Sequence, residues 1–303
     1  MALDQEIAVV LKSLEGMKPM ERMTLEELRA SVAPVPLERR TAVAAVRDLR
    51  TGLGIPLRQY RPLEPRTDKL IVYFHGGGFV IGDLETHDHL CRDLANATGC
   101  GVVAVDYRRA PEFRFPIPSD DCAAAVRWIA VNDAELGVPT EQLILAGDSA
   151  GATLATVTAL RLRDEGGPCI VGQILAYPVT DYHTPATPSY LENAEGFSLT
   201  RNAMIRFWDD YLSSAEEGLN PLASPLRAQS LAGLPPALVM TAEFDPLRDE
   251  GDAYAERLAA SGVDVRHLRY DGLIHGFLRM SLVSRRAREA FGDIGDWISA
   301  LPS

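Results

Sequence analysis

Near residue 45 the apolar positions of this chain change their period. Before that point Ile7, Val10, Leu11 and Leu14 stand at i, i+3, i+4 and i+7, the spacing of one helical face. Thr24 and Glu27 have the spacing of a capping box, in which each side chain takes a backbone N–H that a helix start leaves over; a second helix is predicted there. Residues 1–45 are therefore read as helical, an addition that precedes the first strand. Beyond them, short apolar runs at 55–61, 70–75, 101–106, 142–146, 170–177, 236–242 and 263–270 alternate with helical stretches. That rhythm predicts an α/β fold with a mainly parallel central sheet flanked by helices on both faces. Such sheets bind ligands beyond the carboxyl ends of their strands.

Residues 181–215 break the rhythm with a loop rich in Pro, Thr and Tyr and a helix capped by Thr200. Met204, Phe207, Trp208 and Tyr211 share one face of that helix. Two readings stand side by side: ordinary core packing, or a lid whose apolar underside forms an acyl pocket.

Composition narrows the function. At 303 residues and 47% hydrophobic, the chain suits one large catalytic domain, residues 46–303, with an appended element and the insertion. A net charge of −12, with no basic cluster beyond Arg285-Arg286-Ala287-Arg288, excludes an electrostatic footprint for nucleic acid. The four cysteines have no C-x-x-C spacing, and the first residues lack the basic and long apolar segments of a signal peptide, so a cytoplasmic protein is expected. No apolar stretch approaches the ~18 residues of a membrane helix, and no stable membrane association is expected.

The candidate chemistry sits at the predicted strand ends. Gly147-Asp148-Ser149-Ala150-Gly151 follows the apolar run 143–146 and precedes a helical pattern, which makes Ser149 the nucleophile of a strand-to-helix elbow. A serine hydroxyl needs a base within hydrogen-bond reach and a carboxylate to orient that base. Of the histidines downstream, His267 lies inside a strand and His183 in the insertion, whereas His275 stands in residues 271–277, read as a loop just past the last strand. Asp245 ends the run 237–242 and is the expected acid, with Asp249 as the alternative. Backbone N–H groups of Gly77, Gly78 and Ala150 are the candidate oxyanion donors, and His75 is read as bracing their loop. His87-x-His89 beside Asp83, Glu85 and Asp88 admits a metal reading. A helix start capped by Thr86, with solvated acids in its first turn, explains the same residues, so neither metal nor cofactor is expected.

These motifs resemble, in order, those of the hormone-sensitive-lipase-like esterases, the bacterial family IV branch of the α/β-hydrolases. The resemblance is carried by His75-Gly76-Gly77-Gly78-Phe79, residues 106–112, Gly147-Asp148-Ser149-Ala150-Gly151, residues 245–251 and His275-Gly276-Phe277. It implies a triad of Ser149, Asp245 and His275, oxyanion donors on Gly77, Gly78 and Ala150, and a cap formed by the N-terminal helices with the insertion. Asp148 implies the GDSAG subgroup. The implied activity is metal-independent hydrolysis of short-chain carboxylic esters, with Phe79, Phe207, Trp208 and Tyr211 around the substrate. Arg109 stands where many relatives carry Leu, and a surface effect is expected there. A peptidase, amidase or lactonase on the same fold remains an alternative; a non-catalytic receptor, which would have lost the histidine, is disfavoured by His275. The small-molecule ester is the expected partner, and a homodimer formed through the last strand the expected assembly.

Overall fold

The computed structural model describes residues 2–302. Eight strands form one sheet: β1 (Ala45–Arg50), β2 (Pro56–Arg61), β3 (Leu70–Phe74), β4 (Gly101–Val105), β5 (Leu143–Asp148), β6 (Ile170–Ala176), β7 (Ala237–Phe244) and β8 (Val265–Ile274), in spatial order β1-β2-β4-β3-β5-β6-β7-β8. The first two pairings, β1 with β2 and β2 with β4, are antiparallel, and every later one is parallel. This is the α/β-hydrolase architecture. The helices are α1 (Gln5–Ser13), α2 (Leu25–Ala30), α3 (Asp88–Thr98), α4 (Ile117–Ile129), α5 (Asp133–Leu136), α6 (Ala150–Glu165), α7 (Pro188–Glu192), α8 (Arg201–Tyr211), α9 (Arg248–Ala260) and α10 (Arg285–Ala300).

Side chains alternate across a strand, so a strand covered on both faces must be apolar throughout. In β3 all five residues are buried: Leu70, Val72 and Phe74 join one core layer, Ile71 and Tyr73 the other. β5 divides likewise, with Leu143 and Leu145 on one face and Ile144 and Ala146 on the other. Each such side chain contributes about 1.5–3 kcal/mol on burial, which pins the register of the central strands.

Three elements differ from the sequence reading. β1 has no apolar run, because as an edge strand it packs little: only Leu49 is even partly buried. β8 extends through Ile274, so residues 271–274 are strand rather than loop; a register shift between Ala242 and Phe244 of β7 carries the pairing on to Phe244 and Ile274. The N-terminal helices are shorter than predicted. In α1 only Ile7 is fully buried and Leu14 lies beyond the helix, exposed. The Asp4 side chain caps α1, and its backbone N–H donates to Gly272 of β8 at 3.0 Å. The Thr24–Glu27 capping box is present as predicted.

The segment between β6 and β7 carries α7 and α8. Arg206 of α8 donates to the Met23 carbonyl at 3.0 Å, joining the N-terminal segment to this insertion above the sheet.

Candidate active site

Ser149 is the single residue between β5 and α6. Its φ of 53° and ψ of −124° lie in a region that L-residues seldom occupy, a strain of order 1–3 kcal/mol that the surrounding packing must hold. Its N–H donates to the Ala176 carbonyl at 2.8 Å. The elbow also needs Gly151, where a Cβ would come within 2.0 Å of the Phe74 carbonyl oxygen.

His275 follows β8 directly, and Asp245 follows β7. The Ser149 Oγ lies 2.9 Å from His275 Nε2, and His275 Nδ1 lies 2.8 Å from Asp245 Oδ2. With Asp245 as a carboxylate, which can only accept, Nδ1 carries the ring proton and Nε2 is free to accept from the serine hydroxyl. Asp245 is fully buried, and its Oδ1 accepts the Leu247 N–H at 2.8 Å. Asn193 of the insertion donates to the Asp245 carbonyl at 3.1 Å. The ring of Tyr177 stands edge-on to His275, with centroids 4.8 Å apart. Neither Tyr177 nor Asn193 was singled out in the sequence, since nothing in a lone Tyr or Asn marks such a contact. The other candidates lie elsewhere: His267 pairs with Asp252 at 2.9 Å, His183 packs on Tyr182, and Asp249 accepts the Ser189 N–H at 2.7 Å.

The glycine loop arches over the serine side of the sheet. Gly77 has a φ of 117°, and a Cβ on it would sit 2.2 Å from the Ile81 carbonyl oxygen. Among the described residues no protein group accepts from the N–H of Gly77, Gly78 or Ala150. For Ala150 this follows from its place as the first residue of α6. Below the loop Asp148 Oδ1 accepts from the Gly76 N–H at 2.8 Å and the Tyr73 hydroxyl at 2.7 Å. Burial alone pushes the Asp148 carboxyl up, but the neighbouring His87 and the hydrogen bond from the Tyr73 hydroxyl outweigh it and hold the group well below the usual carboxylate range. His75 stacks on Tyr107 with centroids 4.3 Å apart, and its carbonyl accepts the Tyr107 hydroxyl at 2.7 Å. Burial, reinforced by His87, pushes the His75 imidazole down to about 3.

Several expectations for this region need correction. Thr86 does not cap α3: its hydroxyl and N–H close a reciprocal turn with Asp83, and His87 occupies the cap position without a side-chain bond. The acids there are not all solvated, because Asp88 is buried against Arg40 at 2.8 Å and Arg92 at 2.6 Å. His87 and His89 diverge, His87 toward Asp148 at 3.6 Å and His89 toward the Arg279 carbonyl at 3.2 Å. Arg109 is not merely a surface residue, since its guanidinium donates to the Gly82 carbonyl and so ties down the end of the glycine loop.

A cavity of about 280 Å³ opens onto Ser149 and His275. Gly77 and Gly78 line it, with Leu199, Met204 and Phe207 from the insertion and Met20 and Val32 from the N-terminal segment. Phe207 lies so close over Gly78 that a Cβ there would be 2.3 Å from the ring. Phe79, Trp208 and Tyr211, expected in the pocket wall, do not reach it. Phe79 and Tyr211 stack on each other with centroids 3.9 Å apart, and Trp208 faces a different cavity, of about 450 Å³, beside Arg114 and Tyr182. The cause is helix geometry: Trp208 follows Phe207 after a rotation of about 100° around α8, and Tyr211 stands about one turn, ~6 Å, beyond Phe207. Arg279 and His87 also line the active cavity, and spacing in the sequence had not marked them for it.

Comparison with known proteins agrees with this architecture. The family profile of the α/β hydrolase fold matches residues 71–279. The chain is 45% identical to Esterase LipI of Mycobacterium tuberculosis, over 73% of this chain and 69% of the relative. It is 42% identical to Carboxylesterase NlhH of the same species, over 78% and 76%. A thermostable esterase from Pseudomonas putida superposes with a TM-score of 0.92 at 37% identity, covering 100% of this chain and 98% of that one. The chain belongs to the α/β hydrolase fold family.

Proposed function

We propose that this protein is a carboxylesterase that cleaves short-chain esters through Ser149, His275 and Asp245. Relatives named as esterases and carboxylesterases, at more than 40% identity across most of the chain, support the reaction class. The observation that carries the mechanism is the unbroken row from Ser149 Oγ to His275 to Asp245, at 2.9 and 2.8 Å, on the wall of a cavity. His275 Nε2 takes the hydroxyl proton as Ser149 Oγ bonds to the ester carbon. The carbonyl oxygen becomes an oxyanion, held by the N–H groups of Gly77, Gly78 and Ala150. Collapse of that intermediate breaks the bond to the alcohol oxygen, which receives the proton from His275 and leaves. Water, deprotonated by His275, then cleaves the acyl-enzyme and restores the serine.

The N-terminal residues 1–45 and the insertion at about 181–215 act together as the cap: Met20 and Val32 from one, Leu199, Met204 and Phe207 from the other, enclose the acyl chain. A closed wall of this kind favours short acyl groups. Asp148, buried beneath the glycine loop, supports placement in the GDSAG subgroup of the hormone-sensitive-lipase-like esterases. β8 lies at the sheet edge, where unpaired strand groups can join a second copy, and a homodimer is the proposed assembly; light scattering at 33 kDa alone across concentrations would contradict it. No helix among the described residues is long and apolar enough to cross a membrane. A cytoplasmic location is part of the proposal, supported by the four unpaired cysteines, three of them buried.

Labelling tests the mechanism. A fluorophosphonate should modify Ser149 alone, and Ser149→Ala should abolish the label. Modification of another serine, or wild-type ester turnover by His275→Ala, would remove these residues from their roles.

A further inference from the structure

Arg279 lies in the single turn Phe277–Met280, four residues beyond His275, and is one of the residues that line the cavity holding Ser149 and His275. Its backbone is anchored independently of that side chain. The N–H donates to the Gly276 carbonyl at 3.0 Å, and the Arg279 carbonyl lies 3.2 Å from His89 Nε2. Other arginines near the site are saturated: Arg92 pairs with Asp88, and Arg248 with Glu192 and Asp249. Among the described residues the Arg279 guanidinium makes no ion pair, and its Nε is buried without a hydrogen-bond acceptor.

The one carboxylate in the cavity wall, Asp148, accepts at Oδ1 from the Tyr73 hydroxyl and the Gly76 N–H, and the Arg279 charge helps hold it below the usual carboxylate range without the two forming an ion pair. A planar guanidinium fork matches a carboxylate in two parallel hydrogen bonds, and low-dielectric surroundings such as Leu199, Met204 and Phe207 strengthen the attraction. A simple alkyl ester presents nothing to it. We propose that Arg279 makes the cavity selective for esters that carry a free carboxylate on their acyl or their alcohol part. The proposal rests on the ester-hydrolase reading above and names its substrate class.

Two matched pairs test it, each replacing a terminal methyl by a carboxylate: p-nitrophenyl butyrate against mono-p-nitrophenyl succinate, and butyl acetate against 4-acetoxybutanoate. Wild-type protein should favour the charged member by kcat/KM in at least one pair, and the pair that responds tells which side of the ester faces Arg279. In Arg279→Met the charged-to-neutral ratio in that pair should fall roughly 10- to 100-fold, the range of a charge-assisted hydrogen bond, mainly through KM. Arg279→Lys should retain part of the ratio, because it keeps the charge and loses the fork. Should Arg279→Met fail to fold, Arg279→Gln serves the same comparison. A wild-type preference for the neutral ester in both pairs, or a ratio unmoved by loss of the guanidinium, overturns the proposal. Failure of the wild-type protein to cleave any of the four esters overturns the ester-hydrolase reading as well.

Discussion

Ser149 stands between two polar groups of opposite character. On one side the row to His275 and Asp245 is continuous, with contacts of 2.9 and 2.8 Å and the far carboxylate oxygen taken by a backbone N–H. On the other, Tyr73, Asp148, His87, His75 and Asp106 crowd beneath the glycine loop; Asp148 is bonded tightly to Tyr73 at 2.7 Å, but the histidine–carboxylate contacts are loose, 3.6 Å from His87 to Asp148 and 3.9 Å from His75 to Asp106. There His75 Nε2, His87 Nε2 and Asp106 Oδ1 are buried without hydrogen bonds. Short, aligned contacts suit proton transfer, whereas a buried and incompletely paired cluster suits holding a loop in place. Under the proposed mechanism the same residue types serve chemistry on one side and support on the other, and their histidine–carboxylate distances differ accordingly.

The comparison breaks most sharply at Ser149, the proposed nucleophile. Ser149→Ala should lower kcat by roughly 10⁴-fold or more with an unchanged fold, and adding His275→Ala should cost little further, because the groups act as a unit. A double variant far slower than either single one would mean that they do not.

Asp148→Asn addresses the other side. It keeps the shape but weakens the hold on the Gly76 N–H and the Tyr73 hydroxyl, and a loss of about 10²-fold in kcat is expected through a displaced oxyanion loop. Fluorophosphonate reactivity and kcat should fall together. A loss equal to that of Ser149→Ala would place Asp148 in the chemistry itself.

The supporting cluster should also reveal itself in acid. The His75 pKa is depressed from 6.5 to about 3, so between those values the unfolded chain binds a proton that the folded one refuses. Stability should then be unaffected by His75 above pH 6.5 and fall as pH drops toward 3, by about 1.4 kcal/mol per unit. Denaturation measured across this range should show a shallower slope in His75→Gln. An identical slope would mean that His75 is not held neutral.

The smallest effect concerns the cap. Phe207→Ala should shift the acyl-length optimum upward, each added CH₂ gaining about 0.8 kcal/mol until the new wall is met. Trp208→Ala should lower the melting temperature and leave the profile alone, since Trp208 is buried away from the active cavity. A chain-length series on both variants separates pocket from packing.

The sequence by itself determined the sheet and the row of catalytic candidates. The continuous apolar runs of β3 and β5 and the glycines around Ser149 are local requirements of buried strand and elbow, legible without any partner in space. Ser149, Asp245 and His275 stand directly at the ends of β5, β7 and β8, so chain order was enough to bring them to one edge. Only the tertiary structure decided the rest. β1 was hidden because an edge strand needs no apolar pattern, and the end of β8 because a register shift leaves no mark in hydropathy. Helical spacing put Met204, Phe207, Trp208 and Tyr211 on one stripe but could not say which edge of that stripe faces the cavity, which depends on how that helix docks. Arg279 and His87 carry the same limit. Whether a charged side chain meets a partner or faces an active cavity depends on what neighbouring elements bring to it, and those neighbours lie far away in the chain.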